Sequence, residues 1–412
     1  MKKQKIINDP VHGFITIPGE EVFRVIEHPY FQRLRRIRQL GLTHMVYPGA
    51  MHTRFLHSLG ALHLMQQAIQ SLRQKDLEFN DQEEESLYFG ILLHDVGHGP
   101  FSHALEHSIV SGVHHEDISL AFMHELDKQM GGKLESAISI FKDTYRKKYF
   151  HQLIAGQLDM DRMDYLKRDS FYCGVAEGII NEDRIIKTLN VHENKLVIEA
   201  KGIYSVEKFL IARRLMYWQV YLHKTVIASE YLLMNILKRA KYLERNGTDL
   251  FATPPLKMFL KEEYFRKDFL ENRDLLDAFA MLDDFDIISA VKVWAGHKDR
   301  ILSDLCKRLI NRNLYRVEMK QEPFTDHYID SIEKKTAELL KLDDHETGFY
   351  AFSDTTTNYA YDPVITGIDI LFKDGSIKEL SEASDLLNLS LLAQPVLKHF
   401  LCYPKELGSV KK

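Results

Sequence analysis

The segment Leu93-His94-Asp95-Val96-Gly97-His98-Gly99-Pro100-Phe101-Ser102-His103 carries the residue types best suited to chemistry. Adjacent histidine and aspartate offer one imidazole nitrogen and one carboxylate oxygen to a single cation. The glycines let the backbone turn sharply while the pair stays pointed inward. Mixed imidazole–carboxylate donors suit Mn, Fe, Zn, Ni or Co, and Mg where phosphate completes the shell. A lone His-Asp dipeptide arises by chance; the full string is far more specific. Two further ligands are needed to hold one divalent ion firmly. His57 is offered by Arg54-Phe55-Leu56-His57-Ser58-Leu59-Gly60. Asp161 is offered by Leu158-Asp159-Met160-Asp161-Arg162-Met163-Asp164-Tyr165, where Asp159 and Asp164 compete with it. Of the 20 histidines, many crowd into the first third: His52, His57, His63, His94, His98, His103, His107, His114 and His115. Imidazole is a mediocre helix former and needs partners when buried, so the crowding points to metal or proton chemistry.

These side chains need helices to hold them. From about residue 20 to 240 the pattern is mostly helical, after an extended segment at 6–13 and a short strand-like run at 14–17. Phe31, Leu34, Ile37 and Leu40 repeat at helical spacing. A helix is expected over 54–73. Another opens on an Asp81…Glu84 capping box and ends near Asp95, before Gly97, Gly99 and Pro100. Helices are expected at 118–129, 150–167 and 206–243, with a strand at 195–200. Two faces carry polar groups at helical spacing: Arg162, Tyr165 and Asp169, and then Arg213, Tyr217, Tyr221 and Lys224. Cations and aromatics on one stripe can clamp phosphates and stack on a sugar or base. On an isolated helix the same stripe is an ordinary solvated face. After about residue 246 the texture changes, with helices to about 342, strands at 348–352 and 364–372, and a turn at 373–375. The fold class is mainly α, with a smaller α+β C-terminal accessory region; the boundary divides 1–245 from 246–412.

Composition bounds the partners. Hydrophobic residues are 45% and charged residues 27% of the 412, with a net charge of −5. Nothing global favours nucleic acid as the main partner. No apolar run reaches the roughly 18 residues of a membrane span. Three scattered cysteines, Cys173, Cys306 and Cys402, fit a reducing compartment, so the expected location is cytoplasmic.

The order His57…His94-Asp95…Asp161 resembles the HD-domain phosphohydrolases. Arg54-Phe55-x-His57-Ser58-Leu59-Gly60 and Asp161-x-x-Asp164-Tyr165-x-x-Arg168-Asp169 are similar to the deoxynucleoside-triphosphate (dNTP) triphosphohydrolase branch. The similarity runs from about residue 5 to 224. It implies an HD-type helical core, one divalent metal on His57, His94, Asp95 and Asp161, and catalytic roles for His98, His103, His115 and Glu116. Among these histidines, acid and base are not distinguished. It implies phosphate or sugar contacts from Arg54, Arg162, Asp169, Arg213 and Lys224. Tyr165 and Tyr221 would flank the sugar, and Gln39 and Leu40 would line the site. Tyr217 and Leu222 stand where a mammalian member of the branch has histidine and glutamine near the base. The resemblance also implies a guanine-nucleotide activator site between subunits, at Lys5, Ile6, Glu27, Gln32 and Arg35, and hence a homo-oligomer, dimer or tetramer. A basic helix surface is the plainer account of that last group.

Three activities are therefore expected in order. The first is cleavage of dNTPs to deoxynucleoside and inorganic triphosphate. The second is another HD-type reaction: a 5′-nucleotidase, a cyclic-nucleotide phosphodiesterase or an alarmone hydrolase. The third is nucleotide sensing with vestigial catalysis.

Overall fold

The computed structural model describes residues 5–101, 108, 110, 112–358, 367–385 and 396–409. The extended start folds back on itself. Ile6–Asp9 (β1) and Gly13–Thr16 (β2) pair antiparallel with Ile7 opposite Ile15, and α1 follows at Glu20–Glu27. The apolar repeat from Phe31 to Leu40 does not make one helix. A short helix at Pro29–Gln32 runs into a 3-10 turn at Arg33–Arg36, and then Arg38 bridges extended to Thr53. Packing against that neighbouring segment replaces the local helical preference.

Helix α2 spans Arg54–Arg73, as expected, and is buried over most of its surface. It packs against α3 (Asp81–Leu93) and α6 (Met160–Cys173). The capping box of α3 is one residue earlier than the sequence spacing implied: Asn80 Oδ1 accepts from the Glu83 amide at 2.8 Å. Asparagine is as good a cap as aspartate, and both pairs share the same spacing. Helix α4 begins at His115 and ends at Gln129. The single helix expected over 150–167 is two, α5 (Lys148–Ile154) and α6. Asp159 makes the break by accepting the amides of Gly156 (2.9 Å) and Arg162 (2.6 Å), so α6 starts afresh on a capped end.

The helix expected over 206–243 is also interrupted. Ile203–Met216 (α7) passes into a π-turn at Tyr217–Tyr221, and Lys224–Arg245 (α8) restarts on a His223 cap. The stripe Arg213–Tyr217–Tyr221–Lys224 is therefore not one helical face. The chain also forms two further small sheets. Leu189–His192 (β3) and Lys195–Glu199 (β4) join Asp369–Leu371 (β7) and Ile377–Glu379 (β8), with β4 and β7 parallel. Arg316–Lys320 (β5), Phe352–Asn358 (β6) and Val396–Tyr403 (β9) form the other, in the order β5-β9-β6. The strand expected at 348–352 starts only at Phe352, because the amides of Tyr350 and Ala351 turn back to the Thr347 carbonyl. The described part of 364–372 holds the strand β7, and the turn at 373–375 is present. One apolar core extends from Ile15 to Cys402. Among the described residues no helix is long and apolar enough to cross a membrane.

Candidate functional site

A buried histidine on a central helix must satisfy both ring nitrogens. On α2, His57 is fully buried, and its Nδ1 lies 2.8 Å from Asp164 Oδ2. A carboxylate accepts only, so Nδ1 carries the proton and the Nε2 lone pair points the other way. At the C-terminus of α3, His94 Nδ1 lies 2.6 Å from the Ile91 carbonyl, which sets the same tautomer. Both Nε2 atoms are buried without a well-formed hydrogen bond. They converge on Asp161, from the first turn of α6, at 3.1 Å (His57) and 3.4 Å (His94). Asp95 closes the group, its carboxylate 3.5 Å from His94 Nε2 and 3.8 Å from His57 Nε2. Two lone pairs and the Asp161 carboxylate face one point, with Asp95 between them and the His98–His115 pair; such donors suit a divalent cation, and each imidazole is oriented by an outer partner, as in metal sites generally. The residues present fit the metal that the sequence implied.

The electrostatics agree. Burial alone would lower the His57 pKa, but Asp161 and Asp164 outweigh it and raise it to about 10. A proton there stands where the cation's charge would. Metal affinity is therefore expected to rise with pH up to about 10, by as much as about tenfold per unit while one proton leaves per ion bound. Titration calorimetry in buffers of different ionisation enthalpy measures this, and a pH-independent affinity with no proton release would reject the assignment.

An outer network holds the ligands. Asp164 accepts from Arg168 Nε (2.9 Å) and Nη2 (3.0 Å), and lies 2.7 Å from His12 Nε2. Arg168 also pairs with Asp9 at 2.7 Å. Gly60 lies beneath this pair: a Cβ there would fall 1.9 Å from Asp164 Oδ1, so no larger residue fits. Gly97 plays the matching part for α4, where a Cβ would meet the His115 carbonyl at 2.1 Å. Ser119 ties α4 to the turn, donating to the His94 carbonyl and accepting the Gly97 amide, each at 2.9 Å. His115 is thereby stacked on His98, with ring centroids 3.7 Å apart. His98 Nε2 lies 3.4 Å from Asp95 Oδ1. Burial, then Arg54, depresses the His98 pKa to about 3, so this ring is neutral at physiological pH. Glu116 lies 3.5 Å from His115 and is exposed. His103 lies outside the described residues, as does His107.

Beside the metal group is a cavity of about 210 Å³ whose walls include Gln39, Leu40, Arg54, Tyr217, Tyr221, Leu222 and Glu230. Arg54 joins the two, since its guanidinium also pairs with Asp95. Tyr221 donates to Asp169 at 2.7 Å, and His52 lies 2.8 Å from the other Asp169 oxygen. Tyr165 packs between His57 and Tyr221, with centroids 6.5 and 6.3 Å away. Arg162 and Arg213 lie nearby but already have partners: Arg162 donates to Asp159 and to the Gly156 carbonyl (2.6 Å), and Arg213 to Gln157 (3.1 Å). Lys224 is exposed on the first turn of α8.

The five expected effector residues lie elsewhere. Lys5 caps the Phe23 ring at 3.9 Å, and Ile6 is exposed on β1. Glu27 and Gln32 line a groove of about 890 Å³ with Asp277, Asp283 and Asp286 among its walls. Arg35 stacks over Phe55 at 3.6 Å and donates to Gln32 at 2.8 Å.

Three residues that shape the site escaped the sequence reading. Arg33, one of a run of arginines resembling a helix surface, is fully buried and donates to the Val96 and His98 carbonyls at 2.9 Å each. It holds the His94–His98 turn in place. His12 and Asp9 reach the site from the N-terminal hairpin, a contact that no local spacing announces.

The model of the HD domain matches residues 54–169, and that of an HD-associated region matches 180–250. A crystal structure of a phosphohydrolase from Bacteroides thetaiotaomicron superposes with a TM-score of 0.94 at 52% identity, covering 97% of this chain and 100% of that one. The uncharacterized protein YwfO of Bacillus subtilis is 33% identical over 99% of this chain and 94% of its own. The deoxynucleoside triphosphate triphosphohydrolase SAMHD1 homolog of Dictyostelium discoideum is 31% identical over 258 residues, 58% of this chain. The chain spans 50% of that relative's length. The ligand order, the outer network and these matches together establish that the chain belongs to the HD-domain phosphohydrolases.

Proposed function

We propose that this enzyme hydrolyses dNTPs to deoxynucleoside and inorganic triphosphate. The observation that carries the reading is the adjacency of the His57–His94–Asp161 cluster, with Asp95 beside it, and a small aromatic cavity, joined by Arg54. A divalent ion on those four ligands would bind phosphate oxygen and acidify water. Arg54 supplies positive charge where the α-phosphate would lie. His98, held neutral, and His115 stacked on it are placed to move a proton, with Glu116 beside His115 and His103 completing the catalytic set. Tyr165 and Tyr221 present ring faces and a hydroxyl to the sugar, with Asp169 fixing Tyr221. Gln39 and Leu40 bound the opposite wall. Arg162, Arg213 and Lys224 take the outer phosphates. Residues 1–245 form the catalytic core and 246–412 the accessory and oligomerisation region. Lys5, Ile6, Glu27, Gln32 and Arg35 form an activating guanine-nucleotide site in a cytoplasmic homo-oligomer. In that site the triphosphate must lie toward Arg35 and Lys5, away from the acidic walls of the groove.

Chromatography of products from each dNTP and rNTP, with Mn²⁺ or Mg²⁺ and with or without GTP, tests this. Deoxynucleoside plus triphosphate is the expected result, with turnover raised by GTP. One observation favours a second reading, an HD-type hydrolase of nucleotides with fewer phosphates: Arg162 and Arg213 are engaged by Asp159 and Gln157 rather than directed at an open site. The double variant Arg213→Ala/Lys224→Ala separates the two. It should lower kcat/KM for a triphosphate by about 10- to 100-fold, the loss of two charge-assisted contacts, and should leave a monophosphate substrate unaffected.

A further inference from the structure

The cavity joined by Arg54 to the metal group holds about 210 Å³, less than the roughly 300 Å³ of the smallest pockets that take a whole drug-sized ligand. It has room for one ring system, the base, and the sugar would then lie towards Tyr165, which is outside the lining. The phosphates of a bound nucleotide would then lie outside it, towards Arg54 and Asp95. Tyr217 and Tyr221 stand edge to face with centroids 5.1 Å apart, and Leu40 and Leu222 complete an aromatic and aliphatic lining. Such walls suit a planar heterocycle.

One wall is of a different kind. Glu230, from the second turn of α8, lines the same space. Helix α8 packs against the turn at Thr43–Met45, so the residue is held by packed elements and not by a loose loop. Neither a hydrogen-bond donor nor a cation meets the Glu230 carboxyl among the described residues. Burial is the only influence on its acidity, which is pushed up to about 7. The residue is half-buried, and an acid on a cavity wall that meets no partner among the described residues is open to a ligand's donors.

We infer that Glu230 reads the edge of the nucleobase and selects guanine. Guanine alone among the common bases presents two adjacent N–H donors, the ring N1–H and the exocyclic amine, to the two oxygens of a carboxylate. Thymine flanks its single N–H with carbonyls that a carboxylate repels. Well above pH 7, where Glu230 is ionised, adenine and cytosine place a ring acceptor beside their amine, opposite an oxygen with no proton to give; below it the protonated acid would pair with them instead. The inference deepens the dNTP reading and rests on it for the ligand being a nucleotide.

The test is competition among all four dNTPs in one equimolar mixture, well above pH 7 so that Glu230 is ionised; relative consumption gives the ratios of kcat/KM and any effector site is filled alike for every substrate. Wild-type protein should consume dGTP about tenfold faster or more, the usual value of hydrogen bonds to a charged group. E230Q keeps the shape but turns a donor toward the guanine N–H groups, and should bring the four rates within about twofold of one another. E230D should keep part of the preference. A merely structural Glu230 would lower all four rates together. Equal rates in the wild type, or a dGTP preference that E230Q leaves intact, overturns the inference. If no dNTP is cleaved at all, it is the substrate reading that fails. Titration of the four deoxynucleosides into the same proteins then decides the base assignment. Selective deoxyguanosine binding that E230Q abolishes upholds it; equal binding of all four, or none, rejects it.

Discussion

Asp95→Ala should lower turnover by on the order of 10³-fold or more, since even one donor to developing charge is worth about 10²–10³. Asp95 sits between the two halves of the site. Its carboxylate faces His94 and His57 on one side, His98 at 3.4 Å on the other, and pairs with Arg54. Its loss removes a metal ligand and frees the guanidinium that joins the metal group to the cavity. The turn itself should survive. Arg33 grips the Val96 and His98 carbonyls and Ser119 holds Gly97, and none of these bonds involves Asp95. Far-ultraviolet circular dichroism should therefore match the wild type while elemental analysis shows less bound metal. Wild-type turnover by a variant shown to be free of metal would falsify the ligand assignment.

Arg168→Ala is the second large effect, and it acts on stability. The guanidinium is fully buried between Asp9 and Asp164. Removing it leaves two buried carboxylates without their cation, a change that typically costs about 3–5 kcal/mol. Asp164 also fixes the His57 tautomer, so metal affinity should fall by about 10- to 100-fold, as when the outer partner of a ligating histidine is lost. Arg168→Lys should rescue little, because an ammonium cannot bond both carboxylates in the same fork. Denaturant unfolding of the metal-free proteins reads the first effect and metal titration the second. A loss below about 1 kcal/mol, the value of an exposed pair, would mean that the network contributes little.

The metal group was legible because its donors come in strings with their own punctuation. Arg54 to Gly60 and His94 to His103 combine ligands with glycines that the packing requires, and α2 appeared with the expected bounds. What escaped was set by tertiary contact. The run Arg33, Arg35, Arg36 and Arg38 contains one fully buried member, and sequence offers no mark to single out Arg33. The π-turn at Tyr217–Tyr221 and the break at Gly156–Asp159 interrupt helices whose apolar period carries on regardless, so periodicity ran through them. Glu230 was equally hidden. On an amphipathic helix a glutamate reads as a solvated residue, and only the fold places it on the cavity wall.

The N-terminal hairpin has a practical meaning for anyone handling the protein. Asp9 and His12 reach 159 and 152 residues along the chain to grip Arg168 and Asp164. The opening strand is thus wired to a ligating imidazole through two buried bonds, with Ile6 and Phe14 exposed on the outside of the same ribbon. Whatever grasps that ribbon, whether a neighbouring subunit, a small effector or a purification tag fused ahead of it, pulls on a lever whose short arm ends at His57.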